Sequence, residues 1–384
     1  MNQTDAQQRR LLKAKVYNPR LNVYEAALER LNFVFDRHEK IIVSLSGGKD
    51  SVTMLYLALE IARQRNRKIY AFWLDQEFEY NSTFLLIEEL MKLEYVVPLW
   101  FQVHGILPTA ISHEQYWLQP WNPAERGRWL RAYKRVSIKE ITWPHDVPYS
   151  FPAEHKMGFY GLMKCMEQMF RAEDAAHLIG LRAEESLNRF RAVTRHPGVE
   201  GVPWSTRNRW GGVKYYPLYD WTFHDLWVYA GRNHLRYNKM YDYFWKKGYS
   251  LKEMRISSLM NRKAFGCLAD IQEFEPRLYD ALLERAQGVK TASLYADEGR
   301  MYQARKLPRA FDTWAAYRDF LLVTLPDRRH AEIFRERFAQ QLDNEYVARQ
   351  QVAQIQIHDL TNSRKIDNAP DPAIKRKQQW MDEL

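Results

Sequence analysis

The stretch that most limits what this chain can fold into is IIVSLSGGKDSVTML, residues 41–55. Residues 41–45 read as a strand that is apolar on both faces. Residues 50–64 read as an amphipathic helix with Val52, Leu55, Leu59 and Ala62 on one stripe. Only a small polar turn containing Gly47 and Gly48 separates them. The same rhythm continues: KIYAFWL (68–74) is a second buried strand, 81–94 a second helix, and YVVPLWF (95–101) a third strand. Buried strands alternating with helices predict an α/β fold, a mainly parallel twisted sheet flanked by helices.

Around this core the chain is organised in blocks. A helix over 21–39 carries Tyr24, Leu28, Leu31 and Phe35 on one face. Residues 104–156, rich in Trp, Pro, His and Arg, read as an insertion over the sheet. The pattern resumes with a helix over 158–173 and strands at AHLIGL (176–181) and KYYPL (214–218). Thr222 reads as a helix N-cap with Asp225 three residues on and Trp221 placed to staple against Leu226. Asp220 and Trp221 are expected to cap and wedge that helix. Beyond residue 250 the pattern is helical, with segments over 273–286, 311–323 and 328–350. The division expected is a helical lead-in (1–39), a nucleotide-binding domain (40–250, insertion about 104–156), a helical C-terminal region (251–360) and a mobile tail (361–384).

The turn itself has a chemistry. A helix N-terminus presents unpaired backbone N–H groups and the positive end of a dipole. Gly47 and Gly48 let an anion approach the backbone closely. Ser46 and Ser51 add hydroxyls, and Lys49 adds charge. Asp50 beside a phosphate site is at odds with its neighbours unless a divalent cation accompanies the phosphate. The octet therefore reads as a pyrophosphate cradle for a Mg-nucleotide, and it is not the GxxxxGK[ST] pattern. A formal charge of +10 fits a polyanionic partner, nucleotide or nucleic acid. No apolar run approaches the roughly 18 residues that span a bilayer, and residues 1–20 lack the apolar middle of a secretory signal. The expectation is a cytoplasmic protein with no membrane contact.

SLSGGKDS (44–51) resembles the S-x-S-G-G-K-D-S signature of the PP-loop superfamily, the adenine nucleotide alpha hydrolases. Within it, LIGLRAEESLNR (178–189) looks like the G-x-R-x-x-E-S-x-x-R element of the PAPS reductase family. YYPLYDWTFHDLWVYAGRNHLRYNKMYD (215–242) is similar to that family's P-L-x-D-W-x-x-x-D-V-W-x-Y segment, and KKGYSLKEMRIS (246–257) follows where the family has G-Y-x-S-I-G. The stretch WLDQEFEYNSTFLLIEE and the Trp-rich insertion resemble an uncharacterised bacterial and phage branch with a helical C-terminal extension. That branch is often found beside ParB-like proteins, which implies such a protein as a partner.

The resemblance implies that Ser44, Ser46, Gly47, Gly48, Lys49, Asp50 and Ser51 bind nucleotide phosphates, with Lys49 and Asp50 in the catalytic set and Asp50 near Mg²⁺. Asp75, at the end of the second strand, is a candidate to face ribose or metal, or else a helix cap or solvated turn. Arg182 and Arg189 are candidates to hold a leaving anion, with Glu184 and Glu185 orienting them or helping with metal. The departures matter equally. The family's C-terminal E-C-G-x-H thiol and the paired cysteines of iron–sulfur relatives have no counterpart among the two cysteines, Cys165 and Cys267. No iron–sulfur cluster is expected, and isolated cysteines are usually small buried hydrophobes.

The leading expectation is an enzyme that cleaves ATP to AMP and pyrophosphate to activate an acceptor. Two alternatives stand beside it: a PAPS-binding sulfur-transfer protein using an external thiol, and a nucleotide-sensing module without turnover. For the acceptor, two basic, aromatic-interleaved stretches fit a single-stranded nucleic-acid groove, a nucleotide lid or a protein interface. One is 117–139, with Trp117, Trp121, Arg126, Arg128, Trp129, Arg131, Tyr133, Lys134, Arg135 and Lys139. The other is 182–210, with Arg182, Arg189, Phe190, Arg191, Arg195, Trp204, Arg207, Arg209 and Trp210. His145, Asp146 and His155 do not have metal-ligand spacing and read as loop residues.

Overall fold

The computed structural model describes residues 20–109, 111–112, 115, 117–141, 159–170, 174–194, 198–208, 211–251, 253–260, 265–295, 306–360, 362 and 365–371. These fall into two compact units, one within Met1–Ile106 and Gln119–Ser258, the other within Leu107–Leu118 and Leu259–Leu384.

The first unit opens with α1 (Val23–Arg37). Asn22 caps it by accepting the Glu25 N–H while the Glu25 carboxylate accepts the Asn22 N–H, a reciprocal capping box. There follow β1 (Lys40–Ser44), α2 (Lys49–Gln64), β2 (Ile69–Leu74), α3 (Asn81–Leu90) and β3 (Val96–Phe101). β1 pairs with β2 and β2 with β3, all parallel, with Ser44 opposite Phe72 and Leu74 opposite Phe101.

Further strands extend the sheet beyond the other side of β1: β6 (Ala175–Leu178), β7 (Ser205–Arg207) and β8 (Val213–Tyr215). The order is β3-β2-β1-β6-β8-β7, parallel except for the last pair. The strand expected over 176–181 ends at Leu178, because the Leu181 N–H turns back to the Ile179 carbonyl. β7, an antiparallel edge strand of three residues, is too short for alternation to reveal.

Both faces of the sheet are covered, as the continuous apolar strands require. On one face Ile42, Phe72, Leu99 and Phe101 pack against Leu162, Met163, Met166 and Phe170 of α4 (Phe159–Phe170). On the other, Ile41, Val43, Ala71, Trp73 and Trp100 meet α1, α2, α3 and Leu226 of α6 (Phe223–Arg232). Each fully buried Ile or Phe contributes ~1.5–3 kcal/mol. α6 starts as expected: Thr222 accepts the Asp225 N–H, and Asp225 accepts the Thr222 N–H at 2.7 Å. Asp220 corrects the sequence reading. The N-cap is Thr222, and the Asp220 carboxylate takes both arms of the buried Arg30 guanidinium at 2.8 and 2.6 Å, locking α1 to the start of α6. The short α5 (Leu187–Thr194) follows β6, and α7 (Met240–Lys246) follows α6.

The second unit contains a two-stranded ribbon, β4 (Leu107–Pro108) with β5 (Trp117–Leu118). Its helices are α8 (Phe265–Phe274), α9 (Pro276–Arg285), α10 (Val289–Tyr295), α11 (Trp314–Thr324), α12 (Arg328–Phe338) and α13 (Glu345–Gln356). The single helix expected over 328–350 is two. Asn344 breaks it by capping α13, accepting the Val347 N–H at 2.9 Å. Residues after α13 fold back on it: Asp367 accepts from Tyr346 Oη at 3.0 Å and gives its N–H to Gln350 at 2.9 Å. No helix among the described residues is long and apolar enough to cross a membrane.

Candidate functional site

β1 and β6 are adjacent and parallel, and the chain leaves them toward opposite edges of the sheet. The carboxyl ends of two such strands form the crevice where open α/β sheets take their ligands. The turn after β1 (45–48) and the loop after β6 (179–186) both start there.

The turn is built by its own residues. Gly47 has φ +71°, and a Cβ there would lie 2.5 Å from Thr83 Cγ2, so the position excludes a side chain on two counts. Ser51 Oγ donates to the Gly48 carbonyl at 2.9 Å and accepts the Ser46 N–H at 3.1 Å. Its proton being committed, the 3.2 Å contact with Ser46 Oγ is donated by Ser46. Ser44 is the last residue of β1. From above, Asn238 Nδ2 donates to Thr83 Oγ1 at 2.8 Å and reaches the Gly47 carbonyl at 3.4 Å.

This leaves a set of orphan donors. The backbone N–H groups of Gly47, Asp50 and Ser51 have no protein acceptor among the described residues, although Gly47 and Ser51 are buried. Buried donors are normally satisfied, so three together at the positive end of α2 form a cradle shaped for an anion. The Lys49 N–H, by contrast, is taken by Tyr241 Oη at 3.0 Å.

Charge is arranged around the cradle in pairs. Asp50 Oδ2 lies 3.1 Å from Lys49 Nζ, and Asp50 Oδ1 is bonded by Arg182 Nε. Arg182 Nη1 reaches Glu184 Oε2 at 2.7 Å, which also accepts the first N–H of α6, from Phe223, at 2.9 Å. Arg189 pairs with Glu185 one helical turn back. Arg182 is close to fully buried; burial pulls its guanidinium down, but the charge and hydrogen bond of Asp50, with Glu185 and Glu184, outweigh this and hold it above its ordinary value. The approach depends on Gly180: a Cβ there would lie 2.5 Å from the Asp50 carbonyl oxygen in the first turn of α2. Lys49, Asp50, Arg182 and Glu184 thus form one chain of two cations and two carboxylates, with Glu185 and Arg189 as a separate pair whose carboxylate acts on Arg182 through its charge.

Asp75 lies at the carboxyl edge of β2, but none of its partners is a cradle residue. Fully buried, it accepts from Trp100 Nε1 (3.2 Å), Gln102 Nε2 (3.0 Å) and the Glu77 N–H (2.9 Å), with Arg131 Nη1 at 3.8 Å. Burial pushes its carboxyl up. Glu77 and Glu79, which the sequence reading did not single out, are buried beside it. Glu77 accepts the N–H groups of Trp121 and Leu130 at 3.0 and 3.3 Å, and Trp121 Nε1 donates to the Asp75 carbonyl at 2.6 Å. Burial, with Asp75 adding, raises Glu79 to about 8 against the pull of Arg131.

Much of the Trp/Arg insertion is therefore internal packing. Trp121 is buried and stacks on Tyr133 at 5.3 Å, Trp129 Nε1 bonds the Asn122 carbonyl, and Lys134 pairs with Glu88 at 2.9 Å. Arg126, Arg135 and Lys139 are exposed. In the second basic stretch Trp204 packs between Phe33 and Tyr215, while Phe190 and Arg191 face solvent. Arg195, Arg209, Trp210, His145, Asp146 and His155 lie outside the described residues, as does the side chain of Cys267. Cys165 is buried, and burial pushes its thiol up. Among the described residues no group of three His, Cys, Asp or Glu is placed to hold a metal ion.

Residues 40–250 match the family model of the phosphoadenosine phosphosulfate reductase domain, and residues 248–369 match a domain of unknown function, DUF3440. The chain is 31% identical over 331 residues to the uncharacterized protein YbdN of Escherichia coli (strain K12), covering 83% of this chain and 79% of that one. It is 23% identical over 218 residues to the uncharacterized protein MJ0066 of Methanocaldococcus jannaschii, covering 55% of this chain and 36% of that one. Among solved structures, the phosphate complex of phosphoadenylyl-sulfate (PAPS) reductase from Candida auris aligns at a TM-score of 0.33 and 13% identity, over 67% of this chain and 96% of that one. With a parallel sheet, a glycine turn at its switch point and a family model matched from Lys40 onward, the chain belongs to the phosphoadenosine phosphosulfate reductase domain family, in the branch that includes YbdN.

Proposed function

We propose that this chain binds an adenine nucleotide in the 44–51 cradle and cleaves ATP between the α and β phosphates, transferring AMP to an acceptor and releasing pyrophosphate. The observation that carries the reading is the set of orphan amides on Gly47, Asp50 and Ser51, with Lys49 and Arg182 beside them. In this step an acceptor oxygen attacks the α phosphorus, the bond to the bridging oxygen breaks, and its electron pair leaves with pyrophosphate. The acceptor's proton passes to solvent. The chain's part is to hold the phosphates on backbone donors and to offset the charge that grows on the leaving group. Lys49 and Arg182, held by Asp50 in the free protein, are the cations for that task, with Arg189 further out. A Mg²⁺ carried in by the nucleotide would find Asp50 as its protein ligand, since Mg²⁺ commonly takes one or two carboxylates plus phosphate oxygens. Bound there, it would supply further charge neutralisation.

The acceptor we favour is a nucleic acid, supported by the charge of +10 and by the exposed Phe190, Arg191, Arg126, Arg135 and Lys139. A ParB-like partner and a cytoplasmic setting belong to the same reading. To test it, the full chain is incubated with ATP, Mg²⁺ and single-stranded DNA or RNA. AMP and pyrophosphate are expected; ADP and phosphate, or intact ATP, contradict it.

A second reading has its own support. The family is that of phosphoadenosine phosphosulfate reductases, and the one described thiol, Cys165, is buried with its pKa pushed up. A sulfonucleotide bound here would need a thiol from another protein. Tighter binding of PAPS than of ATP favours that reading.

A further inference from the structure

We infer that the Tyr241 hydroxyl is a phosphate ligand of the cradle, completing the anion site from the α7 side by donating its O–H to a nucleotide phosphate oxygen. This rests on the reading of the cradle given above and adds a residue that belongs to none of the motifs' charged positions.

Hydrogen-bond counting decides where the Tyr241 proton can go. A phenol carries one donor and acceptor lone pairs. Tyr241 Oη already accepts the Lys49 N–H at 3.0 Å, so its proton points elsewhere, and no protein acceptor for it occurs among the described residues. The next amides along the chain, Asp50 and Ser51, are the orphan donors, and consecutive N–H groups of a first helical turn point the same way. A phosphate oxygen seated on them lies alongside Oη. The proton is also retained there: burial raises the phenol's pKa, and although the Lys49 N–H and Arg182 pull it down, Asp50 and Glu185 push it further up.

Tyr241 is held where it is. It is 4% exposed, its ring meets Trp227 edge to face at 5.4 Å, and Asn238, three residues before it, grips Thr83 and the Gly47 carbonyl while accepting the Met240 N–H at 3.0 Å. The segment from Asn238 to Tyr241 therefore fixes the turn at both ends, at Gly47 and at Lys49. Lys49 Nζ lies 5.5 Å from the Tyr241 ring centroid, so charge and phenol face the same place. A phenylalanine would keep the ring over the Lys49 N–H while removing both the proposed donor and the oxygen that now accepts that N–H.

Inorganic pyrophosphate is titrated calorimetrically into the full chain and into Tyr241→Phe, with cooperative melting as the check on folding. The loss of one charge-assisted hydrogen bond should weaken pyrophosphate binding in the variant about tenfold or more. Equal or tighter binding in the variant overturns the inference while leaving the cradle intact. Absence of pyrophosphate binding by the wild type overturns both. Should Tyr241→Phe not melt cooperatively, a crystal of the wild type with pyrophosphate reads the same contact. A phosphate oxygen within hydrogen-bond distance of Tyr241 Oη supports the inference, and one beyond that distance overturns it.

Discussion

Arg182 and Asp50 stand 132 residues apart in the chain, yet the Nε of one is bonded to the Oδ1 of the other at the mouth of the crevice. The bond joins the loop after β6 to the first turn of α2, the two segments that a ligand at this point would touch. It also keeps a buried guanidinium ready without a bound anion.

Breaking this pair should destabilise the fold. Removing one partner of a buried ion pair costs ~3–5 kcal/mol, and Asp50, 14% exposed, places the loss toward or below the lower end of that range. Arg182→Ala and Asp50→Asn should each lower the denaturation midpoint, and the double variant should lose less than the sum. Strict additivity in urea unfolding would show that the pair is not coupled.

Gly47→Ala should cost stability through two separable causes. The left-handed φ of +71° carries a penalty of ~1–2 kcal/mol for a side chain, and the new methyl meets Thr83 Cγ2 at 2.5 Å. Replacing Thr83 by Ser removes that methyl partner while keeping the hydroxyl that Asn238 uses. The Gly47→Ala/Thr83→Ser pair is therefore expected to melt above Gly47→Ala alone but below the wild type. If Thr83→Ser gives no recovery, the close approach is not what excludes the side chain.

Glu79 gives a pH dependence. Its carboxyl is raised by burial from 4.5 to about 8. A raised folded-state pKa means that its contribution is fully present below pH ~4.5 and is lost as pH climbs to ~8, because the unfolded chain ionises first. Glu79→Gln removes that loss. The stability of the variant relative to the wild type should increase from pH 5 to pH 8 in matched thermal melts, and a constant difference would contradict the buried, proton-retaining carboxyl.

Gly180→Ala should be among the severe single changes in the crevice. The added Cβ would stand 2.5 Å from backbone, the Asp50 carbonyl oxygen, and backbone cannot rotate away as a side chain can. Loss of the Arg182–Asp50 bond and of ATP binding together, in a chain that still melts cooperatively, is the expected result. Wild-type binding would show that the loop can retreat without consequence.

The parts of this molecule legible in the sequence are those set by local pattern. β1, β2 and β3 declare themselves because buried strands read as continuous apolar runs, and α6 because Thr222 and Asp225 sit at capping-box spacing. The octet is legible because its chemistry is contiguous. What sequence alone withholds is contact between distant segments. Tyr241, Asn238 and Thr83 look like ordinary core residues until the fold brings them over Gly47 and Lys49. Asp220 looks like a cap until Arg30 is found bonded to it. The Trp and Arg residues of the insertion share their composition with a nucleic-acid groove, but Trp121 and Arg131 are engaged by Glu77, Asp75 and the Glu79 carbonyl. Composition cannot tell a ring that stacks on a ligand from one that stacks on Tyr133.

The measurement that tests the account most directly is calorimetric titration of ATP into the full chain and into Lys49→Ala, with melting curves for both. The account predicts binding by the wild type and at least a tenfold loss in a variant that still folds, since Lys49 supplies charge beside the orphan amides. Equal affinity in the two proteins, or no binding of ATP or PAPS by the wild type, would contradict the cradle.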